Sequence, residues 1–443
     1  MAFSGIAANL LKNGRTLHKQ FKLPLNINSY SISNIVENTK ESNEILETDF
    51  FVIDEAPMTS KFILEIINKK LQELTKKNSL FGNKTFILAG DFRQTLPIKK
   101  FAIRSEIIDL TIKKSFLWKY FKNFKLIKNI RAKDQKYAKE LLNIGNGNFE
   151  KKIKIPKECI CQNNSDLVFE IYAEILKKKK YDELKNYMIL SPYNDLVDYY
   201  NNFTLEKLEG ESVIYLSIDE VETSNNFPIT TEIMNSFNSP GFPLHKLILK
   251  KNCKVMLLRN INIEEGLCNG TILQVIELKR NIIRCIILGG DKNGNEVYIH
   301  RVSLITENEF PVPLKRHQFP LKLAFAVTFI KRITSYNVCY TKRWIKNGNE
   351  VYIHRVSLIT ENEFPVPLKR HQFPLKLAFA VTFIKSQGST YEKIGIDWTR
   401  QSFSHGQTYV ALSRVGSWSK IKVKISKENI NEEIDNIVWK EVL

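Results

Sequence analysis

The sequence contains no run of about eighteen apolar residues, the length a membrane-crossing helix requires. Met1 to Leu11 places no basic residue ahead of an apolar stretch, so neither a membrane span nor a secretory leader is expected. Cysteine is scarce. The six present (Cys159, Cys161, Cys253, Cys268, Cys285 and Cys339) form no CxxC pair and fall short of disulfide-scaffold density, which fits a reducing, intracellular setting. Acidic residues are also short: 47 Asp and Glu face 66 Lys and Arg, a formal charge of +19. That excess favours a polyanionic partner through counterion release. The Lys-, Asn- and Ile-rich composition, with runs such as Lys177 to Lys180, equally suits a solvated basic surface. What is present is 443 residues, 43% hydrophobic and 26% charged, which describes a folded chain of two or three domains.

One feature is unusual for a folded chain. Lys292 to Lys331 recurs without a change as Lys346 to Lys385, two copies joined by Arg332 to Ile345. Structural repeats drift and stack in threes or more, so two perfect copies indicate a very recent duplication or an assembly junction. Each copy ends in LKLAFAVTFI, an apolar, β-rich run of the kind that fills a central strand. Only the second copy leads directly into Ser386-Gln387-Gly388, so it is expected to take that place in the sheet. Removing 332–385 would delete nine basic and three acidic residues and lower the charge from +19 to +13.

Short apolar runs alternate with amphipathic stretches, the pattern of an α/β fold with parallel sheets. Phe50 to Ile53 reads as a buried strand ending on Asp54 and Glu55. Lys61 to Leu74 reads as a helix whose apolar face is Phe62, Ile63, Ile66, Ile67 and Leu71. Thr85 to Ala89 is the next strand, followed by the polar loop Gly90-Asp91-Phe92-Arg93-Gln94. Phe124 to Ile130 is a further strand and Asp134 to Ile144 a further helix. This gives a first domain over 1–150, a linker over 151–185, and a second α/β domain over 186–443 with a small β-rich insertion at about 251–320. The duplicated segments 292–331 and 346–385 fall in the last part.

An apolar strand ending in Asp-Glu holds two carboxylates at the sheet edge where ligands bind in α/β folds. There the Asp can hold Mg²⁺ and the Glu can polarise a water, while Gln94, after the neighbouring strand, can reach a γ-phosphate. A polar turn with a solvated Arg accounts for the second loop equally well taken alone. Further motifs follow in order: Ser4-Gly5-Ile6-Ala7-Ala8, Gly14-Arg15-Thr16-Leu17-His18, Val52 to Met58, Leu88 to Pro97, Asn129-Ile130-Arg131-Ala132, Met256 to Thr271, Lys385 to Gly388 and Phe403 to Val415. Together they resemble the motifs of the Pif1-type DNA helicases over nearly the whole chain. Asp54-Glu55-Ala56-Pro57-Met58 and Asn235 to Leu249 look most like the subgroup carried by Helitron transposons.

The resemblance implies two RecA-like domains and an ATP-dependent 5′-to-3′ DNA helicase of superfamily one, with ATP and Mg²⁺ as cofactors. By motif position Asp54 would hold the metal, Glu55 would be the general base, Gln94 would sense the γ-phosphate, Arg131 and Arg414 would be arginine fingers, and Gln387 would line the nucleotide site. Thr16, His18, Asn194, Thr382, Ser386, Gln387 and His405 match strand-contacting positions, each of which also suits a turn or cap. The implied partners are single-stranded DNA and duplex junctions, with no membrane. A monomer on DNA is expected, in the nucleus or, as the second choice, the mitochondrion, in repair, recombination, telomere maintenance or transposition.

The sequence departs from the family in three places. GxxxxGK[ST], the phosphate-cradling loop, does not occur. The nearest glycine clusters, Gly289-Gly290 and Gly145 to Gly147, lack its Lys-Ser/Thr ending. The chain is therefore expected to start inside the segment that follows that loop. Ile384 and Ser389 stand where the family usually has Asn and Gln. The readings carried forward are a helicase whose activity needs that loop, an ATPase-dead single-stranded DNA-binding remnant, and a non-functional transposon remnant or faulty gene model.

Overall fold

The computed structural model describes residues 1–221, 231–236, 243–305, 314–318, 352–353, 356–359, 369–372, 375–377 and 380–443, with short gaps inside the longer stretches. No helix among them is long and apolar enough to cross a membrane. The first unit is built on two parallel strands, Phe50–Ile53 and Thr85–Leu88, with Phe50 opposite Thr85 and Ile53 opposite Leu88. On the other side of the first strand, Ala2 bridges Asp54 and the Met1 ammonium donates to the Val52 carbonyl at 2.6 Å.

The helix Lys61–Thr75 covers this pair with Ile63, Leu64, Ile66, Ile67, Leu71 and Leu74 buried, and Lys76 ends it in the left-handed region. The expected face is recovered with Leu64 in place of the half-exposed Phe62. Burying each such aliphatic side chain contributes roughly 1.5–3 kcal/mol. A run of rings, Phe21 on Phe51, Phe51 on Phe86 and Phe86 on Phe81, with centroids 5.6, 5.1 and 4.3 Å apart, fills the space beneath.

Phe124 to Ile130 does not form the expected strand. Residues 122–126 are irregular, 127–128 lie outside the described residues, and Leu126 is fully exposed. An apolar run becomes a strand only where it shares hydrogen bonds with a neighbouring edge; among the described residues these positions pair with none, and the outer edge of Thr85–Leu88 stays unpaired.

The second unit carries a four-stranded parallel sheet in the order Ala380–Thr382, Tyr187–Ser191, Lys393–Trp398, Ile421–Ile425. Helix Leu167–Lys178 packs on three of these strands and Asn194–Lys207 on two. Gly395 permits this closeness, since a Cβ there would stand 2.9 Å from Ile171 and 3.2 Å from Leu167. Residues 151–185, expected as a linker, are thus largely part of this packing: Ile153, Ile155, Cys159, Leu167, Ile171, Tyr172 and Ile175 share one buried cluster with Met188, Ile394 and Val423.

Between Asn194–Lys207 and Ala380–Thr382 the chain makes antiparallel sheets whose strands run from Val213 to Leu377, so the β-rich insertion is wider than 251–320. The two identical segments lie side by side: Tyr298 faces Tyr352, Ile299 faces Ile353, and His317 faces His371, each pair parallel. The apolar run of the second copy is divided. Leu375–Leu377 joins Lys254–Leu257, and Ala380–Thr382 enters the parallel sheet at its edge rather than its centre. The corresponding run of the first copy, 321–330, lies outside the described residues.

Candidate functional site

The carboxylates follow directly from the first strand. Asp54 ends it, and its Oδ1 accepts from the Glu55 amide at 2.9 Å. Glu55 is held at φ 51, ψ 41, a left-handed conformation uncommon for any residue with a Cβ, and this swings its side chain toward the second unit. There Gln387, only 6% exposed, donates from Nε2 to Glu55 Oε2 at 2.8 Å, and its Oε1 accepts from Thr95 Oγ1. One amide thus joins both loops of the first unit. Burial pushes the Glu55 carboxyl above the usual carboxylate range, the Gln387 bond opposes this, and Asp54 pushes further upward, while Arg414 opposes.

The loop after the second strand makes its own ties. Asp91 accepts from the Arg93 amide at 3.0 Å and from the Tyr409 hydroxyl at 2.8 Å, and Arg93 Nε donates to Asn146 at 2.8 Å. Burial, with Asp91 second, pushes the Tyr409 phenol up to about 12. Gly406, at φ 73, lets the second unit close on this loop, because a Cβ would lie 2.5 Å from the Arg93 carbonyl oxygen. Gln94 Oε1 is buried without a hydrogen-bond partner, so the loop presents one orphaned polar atom.

The two arginines differ in setting. Arg131 is exposed and donates to the Ser413 carbonyl at 3.1 Å. Arg414 is 1% exposed and donates from Nε to Val410 O at 2.8 Å, from Nη1 to Ser386 O at 2.9 Å and Ser389 O at 3.1 Å, and from Nη2 to Ser413 Oγ at 2.7 Å. Its guanidinium is therefore committed to its own unit and reaches the cleft through its field. Burial, then Arg131, pulls its pKa down to about 10.

The expected strand-contacting residues occupy different local settings. Thr16 caps the short helix Leu17–Gln20 by accepting from the Lys19 amide, which is the cap role its sequence also allowed. His18 stands edge-on to Phe3 with Nδ1 buried and unpartnered. Asn194 opens the helix Asn194–Lys207 with Oδ1 likewise unpartnered. Thr382 ends its strand buried, opposite Ser191. Ser386 is fully buried and donates to the Phe383 carbonyl at 2.7 Å.

His405 departs from the expected role. It is 1% exposed, Nδ1 accepts from the Trp439 amide at 2.8 Å, and Nε2 faces the Phe92 carbonyl at 2.8 Å. An amide that donates to Nδ1 fixes the neutral tautomer with its proton on Nε2. Both ring nitrogens are then spent on the seam between units and neither is open to a DNA strand. Burial pushes the His405 pKa down, in accord with the neutral ring. Thr95, Tyr409 and Phe92 are seam residues that the sequence did not single out. Nothing in their spacing marks them, since their partners lie some three hundred positions away.

Among the described residues no three His, Cys, Asp or Glu side chains converge as a metal cluster.

Comparison with known proteins gives the family resemblance and the fold. Residues 1–154 match the family described as PIF1-like helicase, and residues 232–278 match the 2B domain of DNA helicase Pif1. The chain is 25% identical over 441 residues to the ATP-dependent DNA helicase Pif1 of Psychrobacter sp. (strain PRwf-1), covering 95% of this chain and 60% of that relative. It is 26% identical over 441 residues to the PIF1 helicase of Candida albicans, covering 88% of this chain and 45% of that relative. It thus spans about half of those relatives' length. Crystal structures of Bacteroides Pif1 bound to ssDNA and of Candida albicans Pif1 superpose with TM-scores of 0.62 and 0.57. Their identities are 22% and 21%, over 95% and 100% of this chain and 81% and 86% of theirs. The fold is therefore the RecA-like α/β fold of these helicases, and residues 1–154 are similar to the PIF1-like helicase family and residues 232–278 to the 2B domain of DNA helicase Pif1.

Proposed function

We propose that the chain supplies most of the motor of an ATP-dependent 5′-to-3′ DNA helicase acting on single strands and duplex junctions. The observation that carries this reading is Gln387, which ties Glu55 and Thr95 of the first unit to the second across a buried seam. A motor of this class needs two units that open and close on a nucleotide. A bridge made of one amide between the two loops at a nucleotide edge is a contact that such motion makes and breaks. A Bacteroides Pif1 crystal structure in complex with ADP-AlF3 and ssDNA shares this fold.

The orphaned Gln94 Oε1 and the carboxylates of Asp54 and Glu55 suit a polar ligand. When bound, ATP with Mg²⁺ would supply the phosphoanhydride whose cleavage drives the cycle of closing and reopening. Asp54 would hold the metal, Gln94 would read the terminal phosphate, and Gln387 would line the pocket. Glu55, its pKa raised by burial, would take the proton of the attacking water at Oε2 once Gln387 releases it. Arg131, which donates to the Ser413 carbonyl, would swing toward developing charge, and Arg414 would contribute its field. Thr16, His18 and Asn194 are proposed to contact strand phosphates, His18 and Asn194 with the strongest case because each carries an unpartnered polar atom; Thr382 and Ser386, buried here, would do so only once the units open.

We further propose the Helitron-type subgroup, a nuclear (secondly mitochondrial) setting in repair, recombination, telomere maintenance or transposition, and a monomer on DNA. One relative structure shows two coordinating Pif1 helicases at forked dsDNA. In place of a division into 1–150, 151–185 and 186–443, we propose a first unit within 1–150 and a second to which 151–185, and Tyr137, Leu141 and Ile144 before it, are joined by one buried cluster.

The phosphate-cradling loop GxxxxGK[ST] is absent from the 443 residues, and this favours a second reading in which these residues alone grip single-stranded DNA without turning over ATP. The test is direct. The 443-residue chain should bind an oligonucleotide in a salt-dependent way and show no DNA-stimulated ATPase above background. ATPase comparable to an intact relative would overturn the second reading, and loss of binding even at low salt would overturn both.

A further inference from the structure

Two loops leave the C-terminal ends of neighbouring parallel strands, Tyr187–Ser191 and Lys393–Trp398, and meet in a cluster that the roles above do not use. The rings of Tyr193 and Phe403 stand 5.3 Å apart at 44°. The Arg400 guanidinium lies 4.1 Å over the Tyr193 ring and is paired with Asp195. Phe403 remains 55% exposed.

This exposure is built in by the loop. At one end Asp397 Oδ1 accepts from the Thr399 amide at 2.8 Å and the Thr399 hydroxyl at 2.6 Å, and Trp398 Nε1 donates to Ser402 Oγ at 3.2 Å. At the other end Gln407 Oε1 accepts from the Phe403 and Ser404 amides at 2.9 and 3.3 Å. A loop pinned at both ends cannot fold its phenylalanine inward. An aromatic face held in water beside a cation, on a chain of charge +19, is complementary to a ligand that is flat, apolar on its faces and attached to an anion. A base of single-stranded nucleic acid has this form.

We propose that Tyr193, Arg400 and Phe403 form a stacking platform for one unpaired base of a single DNA strand. The proposal rests on the strand-gripping reading above and adds to it a contact with the base rather than the phosphate. Asp195 orients Arg400, and the planar guanidinium over the Tyr193 ring continues the platform.

The experiment compares the 443-residue chain and its Phe403→Ala and Arg400→Ala variants on an oligo-dT strand and on an abasic strand of equal length, each at several salt concentrations. A second readout follows a strand carrying 2-aminopurine, whose fluorescence is quenched on stacking. The unaltered chain should bind oligo-dT about tenfold or more tightly than the abasic strand. Phe403→Ala should remove most of that preference and the quenching, keep the salt slope, and melt within a few degrees of the parent. Arg400→Ala should weaken both and lower the salt slope. Equal binding of oligo-dT and abasic strands by the unaltered chain overturns the platform while leaving the phosphate grip standing. An unchanged preference in Phe403→Ala also overturns it, as would be expected of a surface meant for a protein partner. Failure to bind either strand overturns the platform together with the reading it rests on.

Discussion

At the residue scale the seam turns on the titration of Glu55. Burial raises its pKa, so the folded state holds the proton more tightly than the unfolded chain does. Its contribution is then most favourable below the ordinary carboxylate range and falls as pH rises through the folded value. The Gln387 amide donates to the ionised form and offsets part of that fall. Gln387→Leu removes this donor and leaves the Glu55 carboxyl and the Thr95 hydroxyl buried without it, a loss of roughly 2–4 kcal/mol that grows as rising pH ionises Glu55. Protonation of the carboxyl toward acid lessens the loss, so urea denaturation at pH 5 and at pH 8 should show the smaller destabilisation at pH 5. His405 titrates in the parent and the variant alike and cancels in the difference. Equal losses at both pH values would sink this account. Sequence reading found both ends of this bond as motif positions, because an Asp-Glu strand end and a Ser-Gln-Gly turn are local patterns. It did not find that they touch, and it assigned to DNA a histidine whose two ring nitrogens serve Phe92 and Trp439.

At the element scale, local pattern succeeded where one segment contains its own partner. Lys61–Thr75 closes its hydrogen bonds within itself, so the spacing of Ile63, Ile66, Ile67 and Leu71 was enough. A strand depends on a neighbour that its own sequence does not name. Phe124 to Ile130 has the composition of a strand, yet Phe124, Leu126 and Ile130 are 82%, 100% and 86% exposed. The insertion shows the same dependence, since identical residues such as Tyr298 and Tyr352 pair with one another. Exposed apolar side chains of this density promote self-association. Leu126→Glu should therefore change folding stability by no more than about 0.5 kcal/mol, while reducing dye binding to apolar surface and the light scattering of concentrated samples. A marked drop in melting temperature would show that Leu126 is packed in solution.

At the scale of the whole molecule, a few contacts distant in sequence decide whether the two units behave as one body. The last residues cross from the second unit to the first: Trp439 and Val442 are buried with Leu96, against Phe92, Ile107 and Ile108. Arg104 pairs through Nη2 with both carboxylate oxygens of Glu441 at 2.7 Å. The two kinds of contact differ greatly in strength. The Arg104–Glu441 pair is about half exposed on both sides and in water contributes on the order of 0–1 kcal/mol. Removing a buried indole costs on the order of 3–5 kcal/mol. If the apolar tie is what couples the units, Trp439→Ala should split a single calorimetric unfolding transition into two, with the first unit, built on a two-stranded sheet, melting first. Arg104→Ala should leave the transition single and nearly unmoved. A single transition in Trp439→Ala would instead assign the coupling to the polar seam of Gln387, Asp91 and Tyr409. The Gln387→Leu variant would then be the one whose transition divides.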